Sequence, residues 1–453
     1  MSNTPVTRKL AEWIVGLQPS DIPANVQSEG VRTFVNWLGC AIGGADHETA
    51  DRAIAAFTPF SGSAQASVLG RTERFDVLHA ALMNGITSHV LDYDDTHLKT
   101  IIHPAGPVAS ALMAVAEYQP VTGEDFLAAL IVGVEVECRI GNCVYPDHYD
   151  RGWHITSTAG VFGAAAAVSR LLRLDVEQTV WALGIAATQS SGLREMFGTM
   201  CKSLHPGRAA QNGAAAAFMA AAGFDSSERS IEAPRGFANV LSTKQDYSEI
   251  LDGLGSRWES ALNSYKPFAC GIVIHPTIDG CIQLRAGLGD AVADIEKVEL
   301  VTHPLVLELT GKKTPRTGLE SKFSVYHSAA VALLYGDGTP TAFTDEMATD
   351  PRVIALRDRV SAEARKDVDE DAVHITVTLK DGRRIEHHVE HAIGSIHRPL
   401  TDEELDAKFL GQAVRIIGED KTRKLIALAW TLPRLSNVAE ISAACAPASS
   451  KAA

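Results

Sequence analysis

Apolar positions recur at helical spacing through the first half of the chain. Leu10, Trp13, Ile14 and Leu17 form one stripe, broken by Pro19-Ser20-Asp21, and Val26, Val31, Phe34, Val35, Leu38 and Ile42 form a second, ended by Gly43-Gly44. This recurrence predicts helices over 4–44. Further helices are predicted over 47–57 and from Phe75 to Val90, with a short extended piece at Ser67 to Leu69 between them. After Pro104 the pattern changes in kind. Segments starting at 107, from Phe126 to Val136, and over 159–172, 176–190 and 208–222 are apolar nearly all round and rich in Ala and Gly. Helices of that kind belong inside a core, where tertiary packing offsets the weak helix propensity of glycine. Thr122 with Asp125 resembles a capping box for the helix that follows.

Near residue 265 the period shortens to that of a strand. Ile295 to Thr302 alternates, as do Val373, Ile375, Val377 and Leu379, and the turn Lys380-Asp381-Gly382 leads into Arg384 to Val389. The last two runs predict a β-hairpin. Ser328 to Tyr335 and Asp350 to Ala364 are predicted as helices between the strands. Thr401-Asp402-Glu403-Glu404 opens another helix, and the tail reads as helical to about 435, with 443–453 frayed. The expectation is a mainly α protein: a large all-helical domain built from 1–266 plus 396–453, with a smaller α+β domain inserted at 267–395.

Composition narrows the function. A chain of 453 residues exceeds what one core usually serves. A net charge of -14 argues against nucleic acid or an anionic membrane as partner. No apolar run of membrane length occurs, and Met1 to Leu10 lacks an apolar signal core. The seven cysteines are scattered without a CxxC pair, which fits a reducing, cytoplasmic setting.

One stretch between two apolar segments is dense in chemistry: Leu91-Asp92-Tyr93-Asp94-Asp95-Thr96-His97-Leu98-Lys99-Thr100-Ile101-Ile102-His103-Pro104. Taken alone it reads as a loop satisfying its own charges. A related layout recurs downstream. His103-Pro104 precedes the helix at 107, Gly152-Trp153-His154-Ile155-Thr156-Ser157-Thr158 the helix at 159, Lys202-Ser203-Leu204-His205-Pro206-Gly207-Arg208 the helix at 208, and Tyr265-Lys266-Pro267 with His275-Pro276 the helix at 277. Helix N-termini carry unsatisfied N–H groups and favour anions, so convergence of these ends would build a site for a small polycarboxylate. Asp92, Asp94, Asp95, His97 and His103 lack the glycine and terminal glutamate of a calcium loop. No HExxH, no iron–sulfur cysteine spacing, no P-loop and no GxGxxG after a strand is present, so neither a metal nor a nucleotide cofactor is expected.

These motifs, together with Phe197-Gly198-Thr199-Met200-Cys201 leading into Lys202 and Tyr265-Lys266-Pro267-Phe268, resemble the MmgE/PrpD family over about residues 5 to 435. That family includes 2-methylcitrate dehydratase, cis-aconitate decarboxylase and iminodisuccinate epimerase. The resemblance implies that the inserted α+β domain is a lid, that the chain forms a homodimer and that it uses no cofactor. It implies a pocket of Asp92, Thr96, His103, His154, Lys202 and Lys266. Of these, His103, His154, Asp92 and Lys202 are the expected catalytic groups. His103 and His154 would transfer protons, with His103 titrating close to neutrality. Asp92 would orient a histidine, and Lys202, expected on the wall opposite Lys266, would neutralise a substrate carboxylate. Thr96, Lys266, Lys99 and Arg208 are the expected substrate-binding groups. His327 joins them, because Phe323-Ser324-Val325-Tyr326-His327 places a histidine where the family often has a pocket tyrosine. The implied activity is a lyase acting on a small di- or tricarboxylate, by decarboxylation or dehydration. The alternatives are an epimerase on the same scaffold and an inactive member that only binds.

Overall fold

Helices form where the apolar stripes place them, and side-chain caps fix several of their ends. In the computed structural model residues 5–447 are described, so the expected fraying lies for the most part outside that range. Asp76 accepts from the N–H groups of Leu78 and His79 to start Val77–His89. Thr401 and Glu404 form the expected reciprocal box ahead of Asp402–Ile417. Thr122 caps Gly123–Val144 with its hydroxyl.

Five helices make the centre: Val77–His89, Ala105–Tyr118, Gly123–Val144, Ile155–Leu171 and Cys201–Ala221. Their small residues permit backbone-to-backbone approach. A Cβ at Gly85 would stand 2.4 Å from the Cα of Gly207, and one at Gly163 would stand 2.7 Å from the carbonyl oxygen of Gly133. Any side chain there would force the helices apart. Cys201–Ala221 differs from the expectation of a helix beginning at 208. It starts seven residues earlier and carries Pro206 inside it. Pro206 is the sixth residue of that helix, so its missing N–H leaves the Lys202 carbonyl without its usual intrahelical donor, and the proline ring packs toward Gly106.

The smaller unit holds a four-stranded sheet. Ile295–Thr302 pairs in parallel with Val360–Ala364 and antiparallel with Val373–Leu379, which continues into the predicted hairpin with Arg384–Val389. The reading of Asp350 to Ala364 as one helix is corrected: the helix is Pro351–Arg357, and the rest is the edge strand. Alanine and glutamate in that strand favour helix locally. Pairing with Val298 to Thr302, some sixty residues away in the chain, overrides the local preference. His275–Leu288 and Val325–Tyr335 pack together, the former also against the hairpin strands.

The buried residues form two main cores. One gathers the central helices and also Phe409, Ala413, Leu425 and Ala429 from the C-terminal helices. The other gathers the sheet and its helices, and extends to Val90, Leu91 and Tyr93 at the start of the polar stretch. The large unit is not wholly helical. Asp95–His97, inside the polar stretch, pairs antiparallel with Asn263–Tyr265. That short ladder delivers Lys266 to Asp92.

Candidate active site

The polar stretch follows directly from Val77–His89 and is gripped by lysines. Lys322 donates to the carbonyl of Leu91 at 2.6 Å, Lys266 to that of Asp92 at 3.2 Å and Lys408 to that of Tyr93 at 2.7 Å. Three consecutive carbonyls are thus held by lysines from three distant parts of the chain. All three lysines are buried. Burial pushes Lys322 and Lys408 down to about 8. Asp92 adopts a left-handed backbone, φ 52°, which turns its carboxylate inward.

Asp92 is the ionic centre. Lys202 reaches one carboxylate oxygen and Lys266 the other, each at 2.6 Å. Burial alone would raise its pKa, but the two ammonium groups outweigh that and hold it well below the usual carboxylate range. Burial lowers Lys202 despite Asp92, whereas for Lys266 the attraction of Asp92 and Asp94 exceeds the cost of burial and raises it. The lysines were expected on opposite walls; they meet on one carboxylate. Lys202 also lies 5.2 Å from the ring centres of both Phe197 and Phe323, which stack on each other.

Histidines form the other side. His103 Nδ1 donates to the carbonyl of Asp95 at 2.8 Å, with Thr96 Oγ1 at 3.3 Å, so its Nε2 presents a lone pair. His154, directly ahead of Ile155–Leu171, shares a proton with His205 between their Nδ1 atoms at 2.8 Å. Burial is the main reason both His103 and His154 sit well below the ordinary imidazole range, with Lys266 adding to it for His103 and His205 for His154. His103 was expected to titrate near neutrality. Without a bound acid it is neutral there, because burial and the lysines together exceed the pull of Asp94.

Asp92, His103, His154, Lys202 and Lys266 line one chamber with Tyr149, Phe197 and Phe323, and Thr96 stands behind His103. Its free volume is about 30 Å³, enough to hold water. A cavity of about 560 Å³ elsewhere, beside Ile14, Gln119 and Arg170, holds none of these groups. Three expected residues are not brought in. Lys99 is half exposed and paired with Glu249 at 3.2 Å. Arg208 bonds Gln211 within its own helix. His327 is fully buried and donates to the carbonyl of Ala342 at 2.9 Å. The residue of its segment that reaches the chamber is Phe323. The layout at helix N-termini is likewise corrected. His103 and His154 do precede helices, but Lys202 lies inside the first turn of Cys201–Ala221 and Lys266 follows a strand.

His89 is the group that sequence reading missed. Its Nδ1 donates to Asp94 at 2.6 Å, its Nε2 is buried without a partner, and its ring lies 4.9 Å from that of His103. Asp94, not Asp92, is therefore the carboxylate that orients a histidine. His89, His103 and His154 each offer a ring nitrogen, all within 4.8 Å of one another, so this trio is where a divalent ion could be held. Asp95 accepts from Asn263 at 2.7 Å and from the N–H of Ala105 at 3.1 Å, leaving its other oxygen buried and unpaired. Burial, then repulsion from Asp94, pushes it up to about 7.

Residues 8–250 match the MmgE/PrpD N-terminal domain and residues 268–433 the MmgE/PrpD C-terminal domain. A cis-aconitate decarboxylase-like protein of Aspergillus oryzae is 28% identical, over 96% of this chain and 96% of its own length. The human cis-aconitate decarboxylase is 28% identical, over 95% and 92%. The 2-methylcitrate dehydratase of Cupriavidus necator is 23% identical, over 77% of each chain. Among the described residues no helix is long and apolar enough to cross a membrane.

Proposed function

We propose a function from one premise: the chain belongs to the MmgE/PrpD family, carrying both of its domains. It is a lyase acting on a small tricarboxylate without a cofactor. Within that class we favour decarboxylation of a cis-aconitate-like acid. The decarboxylases align over 95–96% of this chain and the 2-methylcitrate dehydratases over 77–88%. The observation that carries the reading is the carboxylate of Asp92 clamped 2.6 Å from each of two buried ammonium groups, beside neutral, buried imidazoles in one narrow chamber. Asp92 occupies the kind of place a substrate carboxylate would seek, and it keeps both lysines charged and aligned.

The bound acid supplies negative charge that the empty chamber lacks. That charge raises the proton affinity of His103, and the imidazole takes up a proton at Nε2. Loss of carbon dioxide breaks a carbon–carbon bond and leaves its electron pair on carbon. Lys202 and Lys266 stabilise the charge spreading into a neighbouring carboxylate, and the proton on His103 or His154 replaces the lost group at carbon. Asp95, through its carbonyl, fixes the His103 tautomer. The sheet-bearing unit acts as the lid that shuts water out, by way of Phe323, Leu309 and Thr310. A homodimer, as the family implies, is part of this reading and is checked by light scattering.

Incubation with cis-aconitate, 2-methylcitrate, citrate and iminodisuccinate in deuterated water, followed by NMR, tests it. The expected result is loss of carbon dioxide from cis-aconitate with one deuterium incorporated at carbon. Tight binding without turnover of any of the four acids would leave a binding protein. The ring centres of His103 and His154 stand 6.5 Å apart, which favours epimerisation between two bases as the second reading. Deuterium exchange at the α-carbon of iminodisuccinate alone would select it.

A further inference from the structure

A chamber of about 30 Å³ cannot admit a tricarboxylate from solvent unless part of its wall moves. An outer cavity of about 340 Å³ lies against that wall, a volume suited to a small molecule. The two hollows share Ile101, Ile272 and Val273 in their linings. A second hollow touching the site, lined in part by Gly198 and Leu319, holds about 10 Å³.

The partition is not ordinary backbone. Ile101 has φ 60°, one of only three non-glycine residues in the left-handed region among those described, and the only β-branched one. That conformation is a genuine outlier for isoleucine, and such strain persists only where surrounding structure imposes it. Here the tight turn from His97 imposes it. The N–H of Ile101 donates to the carbonyl of His97 at 2.8 Å, and His97 is itself locked between Thr100 at 2.7 Å and Glu259 at 3.1 Å. Facing Ile101 are Ile272 and Val273, on a short 3-10 turn of the sheet-bearing side. On its solvent side the outer cavity is lined by Lys99, half exposed, and by Ile393, Ser395, Ile396 and His397, of which Ile396 is half exposed. Charges of both signs stand there: Lys99 is paired with Glu249, and Asp371 with His391 at 2.7 Å, beside Glu370 and His397.

We propose that the outer cavity is the passage by which the small acid enters and its product leaves, and that Ile101, with Ile272 and Val273, is its gate. A strained isoleucine relaxes when it swings out of the left-handed region, so the open state recovers part of what the closed state stores. The passage also gives Lys99 a place: it faces the acid before the chamber does. This inference rests on the functional reading above only for the identity of what passes.

The test reads access without relying on turnover. Diethyl pyrocarbonate modification of His103 and His154 is followed by peptide mass spectrometry, with exposed His388 as the internal control. Ile396→Cys is labelled after folding with a bulky maleimide, and identically treated wild type controls for Cys201. Labelling should slow modification of both chamber histidines by roughly tenfold or more, the scale on which gated access changes entry rates, and leave His388 unchanged. Ile101→Gly, which removes both side chain and strain, should speed it several-fold. Chamber-histidine rates indifferent to both changes overturn the passage. Turnover of cis-aconitate with indifferent access discards the gate alone; gated access without turnover of any acid discards the functional reading alone.

Discussion

His103 concentrates the chemistry in one side chain, and its two nitrogens have different work. Nδ1 is committed to the carbonyl of Asp95, leaving Nε2 to exchange a proton with the acid. His103→Gln keeps a donor and similar shape but cannot carry a proton. It should lower kcat by about 10²- to 10⁴-fold, change the acid's Kd by much less, and leave the circular dichroism spectrum unaltered. A near-native kcat would reduce His103 to a binding group and pass its role to His154 or His89. Asp95 makes a prediction about stability. Its folded pKa of about 7 lies above the unfolded value of about 3.9. Between those values the folded chain holds a proton that the unfolded chain has released. Its contribution is therefore full below about pH 4 and is lost as pH rises through about 7. Urea unfolding of wild type and Asp95→Asn at pH 5 and pH 8 should show a larger loss with pH in the wild type. Equal losses would mean that Asp95 is ionised throughout.

Elements hold these residues where they are, and here the sequence was only partly readable. Helices in the first half, the hairpin, the capping box at Thr401 and the chemistry of the polar stretch were legible, because each is written in neighbouring residues. The edge strand Val360–Ala364 was not, since its partner strand lies far off in the chain. The start of Cys201–Ala221 was hidden by Pro206, which reads locally as a helix boundary. His89 was missed because it ends a mainly apolar helix, outside the polar stretch, and its partner Asp94 was assigned to the loop. Lys322 and Lys408 look like ordinary surface lysines, and only the fold turns them inward onto Leu91 and Tyr93. Lys99, inside the polar stretch, looked like a ligand and points outward. What pattern cannot supply is the crossing of two helices, and glycines make that crossing. Gly85→Ala would place a methyl 2.4 Å from the Gly207 Cα, backbone that cannot yield like a side chain. It should cost at least about 1–3 kcal/mol in urea unfolding and displace Lys202, carried on the same helix as Gly207, so that KM rises too. Full stability and unchanged KM would mean the crossing has slack.

At the scale of the molecule, residues of both units line one chamber, and under the proposed function the chemistry depends on how firmly the units close over it. The trio His89, His103 and His154 raises one question for the whole enzyme, namely whether its imidazoles serve as ligands or as proton carriers. The functional reading makes them proton carriers. Activity should then survive dialysis against EDTA, and loss restored by a single divalent ion would reassign the trio. Closure itself is held in part at the surface. Arg194 donates to the carbonyl of Tyr149 at 2.9 Å and stacks over that ring, and it reaches Glu308 at 2.8 Å on the facing helix Pro304–Thr310. Tyr149 belongs to the chamber wall on one side, and Leu309 and Thr310 to the wall on the other. Glu308 is 54% exposed, so the pair adds under about 1 kcal/mol to global stability. Pro304–Thr310 packs on the turn Ile272–Ile274, which carries two residues of the proposed gate, so the Glu308 pair restrains that gate. The barrier to opening is a smaller quantity than global stability, and a contact of that size can govern it. Glu308→Gln should leave the urea midpoint nearly unchanged and raise the acid's dissociation rate a few-fold in stopped-flow measurements. If opening limits turnover, kcat rises with it. Salt supplies the control, because an exposed pair is screened at about 0.5 M, where the Debye length falls below roughly 5 Å. Wild type should then approach the variant's dissociation rate while Glu308→Gln responds less. Identical rates and identical salt responses in the two proteins would place the restraint on closure in the buried Lys322 contact with Leu91 instead.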